Sequence, residues 1–147
     1  PILIIQIILG VWLSSNYAAL ACSDFPLCKG VILPEADYTK GFNFLQSIGP
    51  DYLGGQLDHQ SRVAIHLVHR FGALVVTVYF LALAYLFARN KNYFVSGLIA
   101  GLLFLQLVLG VSNIIYRLPL YVAIAHNLGA LFLLLGLSYV RLRTREY

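Results

Sequence analysis

The chain has no methionine, only two cysteines, and only six acidic residues among its 147. Charged residues make up 11% of it, against 60% that are hydrophobic. So little charge excludes a water-soluble globule of this length, which would leave too much of its apolar surface exposed. Two cysteines make a poor zinc site, because zinc wants four ligands and His59 is the one imidazole in the same loop. They also fall short of the two cysteine pairs that a quinone-linked thiol–disulfide membrane enzyme needs. No charged segment precedes the first apolar run, so no signal peptide is read. That run opens on Pro1 already deep in apolar sequence, and with no methionine anywhere we read it as the tail of a helix whose start is missing.

What is present is four apolar runs, 1–13, 63–88, 93–116 and 118–140. A span needs about 20 residues to cross the hydrocarbon core, and the last three qualify outright. The expected fold is an all-α membrane protein, a single four-transmembrane-helix bundle with a long outer loop. Its helices are expected over 1–16, 62–88, 93–116 and 119–142, with the loop over 17–61. The net charge of +4 is a matter of topology. Arg89 and Lys91 follow one span, Arg141, Arg143 and Arg145 follow another, and two crossings put both places on one side. The opposite side mixes Asp24, Glu35, Asp37, Asp51 and Asp58 with Lys29, Lys40, Arg62 and Arg117. The positive-inside rule then sets the C-terminus inside and the long loop outside. The basic residues are not a nucleic-acid footprint.

The chain also repeats itself. "QIILGV" at 6–11 returns as "QLVLGV" at 106–111, and "HRFGAL" at 69–74 as "HNLGAL" at 126–131. Two copies of a helix pair, packed about a pseudo-twofold axis along the membrane normal, account for both matches in the same order. In the loop, Phe42, Leu45, Ile48 and Tyr52 recur at helical spacing until Gly49-Pro50, which reads either as a short interfacial helix or as an amphipathic loop on the headgroups.

Ionisable residues inside spans usually face the interior and mark a function. His69 lies seven residues beyond Arg62 and His126 nine beyond Arg117, about 10 Å and about 13 Å below the outer boundary. Both helices run inward, so the two imidazoles share a depth and can face each other. That arrangement suits bis-histidine ligation of a haem iron; the alternative is two structural histidines, each bonded to a neighbouring helix. Gly72 and Gly129 are read as clearance for a flat macrocycle. Arg62, Arg70 and Arg117 are read as partners for propionates at the outer end. His66, one turn before His69, is open as ligand, propionate partner or proton relay, and the repeat favours His69 because Ala123 stands where His66 would recur. Gln106, Gly110 and Asn113 form a stripe read as interhelical packing.

Cys22 and Cys28, six positions apart in the outer loop, are expected to form a disulfide in an oxidising compartment, with free or cycling thiols and metal binding as alternatives. Such a bridge closes a short loop and is worth about 2–2.5 kcal/mol. Read as short and exposed, it would be easily reduced.

Four stretches, "QIILGVWLSSNYAALACSDFPLCKG", "GFNFLQSIGPDYLGG", "RVAIHLVHRFGALVV" and "AHNLGAL", together resemble the C-terminal half of the haem A synthase family. The resemblance implies one four-helix half of an eight-helix inner-membrane oxidoreductase that converts the C8 methyl of haem O to the formyl of haem A for terminal oxidases. It implies a b-type haem held by His69 and His126, and a disulfide at Cys22 and Cys28 that takes part in exchange or electron delivery. It puts the substrate haem in the other half, and this chain, with no glutamate in a span, is expected to be inactive alone. Expected partners are that missing half, membrane lipid, an electron donor and haem O synthase, in a bacterial or mitochondrial inner membrane. The competing readings are a four-helix b-type cytochrome for electron transfer only, and a thiol–disulfide membrane oxidoreductase.

Overall fold

The computed structural model describes residues 1–45 and 56–143, with side chains described as far as Val140. The described residues form five helices and no strand: α1 (Ile2–Ser15), α2 (Tyr38–Gly41), α3 (His59–Arg89), α4 (Tyr93–Ile115) and α5 (Leu120–Arg143). Capping residues start three of them. Asp58 accepts from the Ser61 N–H at 2.8 Å, Asn92 from Val95 at 3.3 Å and Asp37 from Lys40 at 3.0 Å, each answering a donor the first helical turn leaves unpaired. Asp58 thus places His59 as the first residue of α3, three residues earlier than expected, and His59 is helical and exposed where a loop position was read. Short reversals join α3 to α4 and α4 to α5. Lys91 (φ 60°) makes the first, and Arg117 (56°) and Leu118 (62°) the second, all left-handed without being glycine.

Neighbouring helices close a ring: α1 packs on α3, α3 on α4, α4 on α5, and α5 returns to α1 through a looser contact. Among the described residues the backbones of the diagonal pairs, α1 with α4 and α3 with α5, nowhere approach within 8 Å between Cα atoms. The principal core lies toward the α3–α4 turn and draws on all four long helices through Leu3, Val76, Phe80, Ala84, Ile99, Leu103 and Leu133. Two smaller clusters lie at the outer end, one around Leu13, Ala18, Leu57 and Ile65, the other around Ala21, Cys22, Cys28 and Val63. Three helices are long and apolar enough to cross a membrane, namely His59–Arg89, Tyr93–Ile115 and Leu120–Val140, while Ile2–Ser15 is apolar but shorter. Their outward faces carry Phe71, Leu74, Phe94, Phe104, Leu120 and Tyr121, all exposed. A surface of that kind is stable against lipid tails rather than water. The chain is a multi-pass membrane protein.

The outer loop is pinned to the bundle. Trp12 donates from its indole N–H to the Gly41 carbonyl at 2.9 Å, tying α1 to α2. A Cβ at Gly41 would stand 2.7 Å from the Ser61 carbonyl, so only glycine lets α2 approach the first turn of α3 this closely. The helical spacing read over Phe42 to Tyr52 is not realised where it is described: Phe42 terminates α2, and Leu45 is 93% exposed in a turn. Ile48, Gly49, Pro50 and Tyr52 lie outside the described residues.

Candidate functional site

Between the principal core and the two smaller clusters lies a polar band made by one to two turns of each long helix. α3 contributes His69 and Gly72, α1 contributes Gln6 and Gly10, α4 contributes Gln106, Gly110 and Asn113, and α5 contributes His126 and Gly129. The contacts within the band are reciprocal. The His69 ring lies against Gly10, where a Cβ would stand 3.2 Å from its Cε1. In return, the Gln6 amide lies over Gly72, where a Cβ would collide with Oε1. The other helix pair packs the same way. A Cβ at Gly110 would stand 3.3 Å from Cε1 of His126, and one at Gly129 would collide with the Gln106 amide nitrogen. Gly72 and Gly129 therefore do not stand open as clearance for a macrocycle. Each is filled by a glutamine that the neighbouring helix supplies at the same level.

Hydrogen bonds fix the first of these pairs. Gln6 Nε2 lies 3.2 Å from His69 Nδ1 and donates to the His69 carbonyl at 3.0 Å. Gln6 Oε1 is buried with no partner among the described residues, as is Asn113 Oδ1. In the second pair the His126 ring engages the Gln106 backbone. His69 and His126 belong to α3 and α5, whose backbones stay more than 8 Å apart between Cα atoms, yet His126 lies within electrostatic range of His69. Among the described residues no three of His, Cys, Asp or Glu come together.

Above this band the remaining α3 side chains hold the outer loop. Cys22 and Cys28 form a disulfide, with both residues fully buried. The bridge is therefore not exposed as the sequence suggested, because the loop folds down onto Val63 and Leu67 of α3 with Ala36 alongside. His66, 2% exposed, sets Nδ1 3.0 Å from the Ala18 carbonyl and 3.4 Å from the Cys22 amide nitrogen. It lies under the loop.

Arg70 donates to four main-chain carbonyls of that loop: Asp24 at 2.7 Å, Leu27 at 2.8 Å, Cys22 at 3.3 Å and Pro26 at 3.4 Å. Its guanidinium also stands 5.7 Å from the centre of the Phe25 ring. Within the loop, Asp24 accepts from the Gly30 and Lys29 N–H groups, which hold its carboxyl below the usual range. The left-handed φ of +78° at Gly30 turns the chain so that Cys28 N–H donates to the Val31 carbonyl at 2.8 Å. Arg62 donates from Nε to the Leu57 carbonyl at 2.9 Å, and Arg117 is exposed on the α4–α5 turn beside Leu20 and Ser23. Of the three arginines read as propionate partners, two are engaged with main-chain carbonyls. Sequence reasoning passed over Gln6 and its contact with His69, although the repeated Gln-x3-Gly pattern was the available signal.

The family model described as cytochrome oxidase assembly protein, COX15-CtaA, matches residues 1–138. Heme A synthase of Shewanella oneidensis is 44% identical over 137 residues, covering 92% of this chain and 42% of that protein. Heme A synthase of Wolbachia pipientis wMel is 30% identical over 148 residues, covering 97% and 38%. That of Erythrobacter litoralis is 27% identical over 141 residues, covering 94% and 37%. The chain thus spans about two-fifths of the length of these relatives. No solved structure matches it.

Proposed function

The chain belongs to the haem A synthase family, and from that premise we propose that it is the half of such an enzyme that binds a b-type haem through His69 and His126. In this reading it is a four-span bundle of two repeated helix pairs that serves haem A biosynthesis. The full-length protein oxidises the C8 methyl of haem O to a formyl group. The substrate haem sits in the part of the relatives that this chain does not span, in keeping with the absence of any glutamate from the long helices here. Turnover accordingly requires the full-length protein.

The observation that carries the reading is the placement of the two imidazoles. They project from diagonal helices into a polar band bounded by apolar clusters on either side. A membrane bundle gains nothing from half-burying glutamine, asparagine and two histidines in one band unless they serve a ligand or one another. The band fits a haem in one further respect: His69 Nε2 makes no hydrogen bond among the described residues. His69 and His126 would hold the iron from opposite faces, and the cofactor when bound supplies one-electron transfer. The protein's own contribution is to orient the rings and exclude water. Arg70 and His66 contribute at one remove, by fastening the disulfide loop as a lid over the outer mouth. Arg117, unlike Arg62 and Arg70, stands exposed at that mouth and is the cation placed to meet a carboxylate.

The test is made in the full-length protein. His69→Ala and His126→Ala each remove the low-spin b-type absorbance, whereas His66→Ala shifts the spectrum without abolishing it. A spectrum lost in His66→Ala and kept in His69→Ala would overturn the ligand assignment.

A further inference from the structure

We propose that Gln6 is the positioning residue for the His69 imidazole, through a hydrogen bond in which its side-chain oxygen accepts from His69 Nδ1–H when Nε2 is ligated. The inference rests on the reading of His69 as a haem ligand. A ligated imidazole gives its Nε2 lone pair to the metal, so its proton stands on Nδ1 and needs an acceptor. At His69 Nδ1 the one group within hydrogen-bond reach among the described residues is the Gln6 amide, at 3.2 Å. That amide presents Nε2 to the ring and leaves Oε1 buried without a partner. Half a turn of the planar amide exchanges the two atoms. It gives the orphaned oxygen a donor and fixes the tautomer that exposes the Nε2 lone pair. The exchange gives up the bond from Gln6 Nε2 to the His69 carbonyl. It also turns Oε1 toward that carbonyl oxygen, so the amide must tilt away from it while keeping Nδ1 in reach, and the carbonyl, inside α3, keeps its acceptor role within the helix ladder.

The surrounding glycines leave the two side chains little freedom. Gly10 lets the ring approach the α1 backbone, and Gly72 lets the amide approach α3, so ring and amide are held edge to edge across the α1–α3 interface. Gln6 thereby sets both the plane of the imidazole and its basicity. A stronger acceptor at Nδ1 makes the ring more electron-rich and favours ferric over ferrous iron, lowering the reduction potential.

Gln6→Met and Gln6→Glu in the full-length protein, purified with its haem, separate this role from packing. Both substitutions keep an unbranched side chain of similar length. Methionine removes the strong acceptor, and glutamate supplies a stronger one. The midpoint potential of the b-type haem is expected to rise in Gln6→Met and fall in Gln6→Glu, each with a changed low-spin electron paramagnetic resonance signal. Unchanged potentials, or displacement of both in the same direction, would overturn the proposal. If Gln6→Met does not accumulate, Gln6→Glu decides alone: a lowered potential supports the role, and an unchanged or raised one defeats it. A wild-type protein with no b-type haem would instead defeat the functional reading, and that outcome is visible before any variant is made.

Discussion

Gly72 and Gly97 look alike in the sequence, each a glycine inside an apolar helix, but their surroundings differ. A Cβ at Gly72 meets the Gln6 amide, and one at Gly129 meets the Gln106 amide, whereas nothing lies within 4 Å of a Cβ at Gly97 or Gly101. Gly72→Ala and Gly129→Ala should each destabilise the bundle by about 1 kcal/mol, the low end of overpacking, because the end of a flexible glutamine must shift aside. Gly97→Ala and Gly101→Ala should be neutral or slightly stabilising, since alanine is the better helix former. Thermal loss of haem absorbance in detergent checks this, and equal effects at all four positions would contradict the packing described. The repeat made Gln6, Gly10, His69 and Gly72 visible as a pattern, because helical spacing states which residues share a face. It does not state which face of which neighbour they meet. Gly72 therefore read as clearance for a ligand when a glutamine 66 positions earlier fills it. His66 was ambiguous for the same reason, since its partner, the Ala18 carbonyl, lies 48 positions away in the chain.

The long helices were legible as elements, because runs of apolar residues between polar turns leave few alternatives. The outer loop was not, since its order comes from main-chain groups that sequence does not display. Its disulfide followed from compartment and spacing, but its burial depends on Arg70 of α3 gathering four loop carbonyls. Lysine cannot substitute there, because a single ammonium lacks the planar fork that reaches several acceptors. Hydrogen bonds from a charged donor contribute about 1.5–3 kcal/mol, so losing even one net bond makes loop opening roughly tenfold more frequent. Arg70→Lys in the full-length protein should thus speed reduction of Cys22–Cys28 by about tenfold or more. Trapping the released thiols with a maleimide after timed exposure to dithiothreitol measures it. A rate equal to wild type would mean that apolar cover from Val63 and Leu67, not the guanidinium, protects the bridge.

For the whole molecule, orientation follows from charge and from the parity of crossings. α3, α4 and α5 are each long enough to span, and the reversals between them are short, so the α3–α4 turn and the end of α5 lie on one side. The α2 segment and the α4–α5 turn lie on the other. Arg89 and Lys91 mark the first side as basic, and the arginines after position 140 add to it. The opposite side carries the acidic cap Asp58, the paired Lys40 and the buried disulfide. Positive charge is retained on the inner face during insertion, and a disulfide persists where no cytosolic reductant reaches it. Both criteria favour the same orientation, and on that ground we propose that α2 faces outward. Lys40 and Lys91 are both exposed and serve as probes, with the native cysteines silent while bonded. In intact spheroplasts an impermeant maleimide should label Lys40→Cys and spare Lys91→Cys, which reacts only after the membrane is opened. Labelling in the reverse order would invert the bundle and place the disulfide in a reducing compartment.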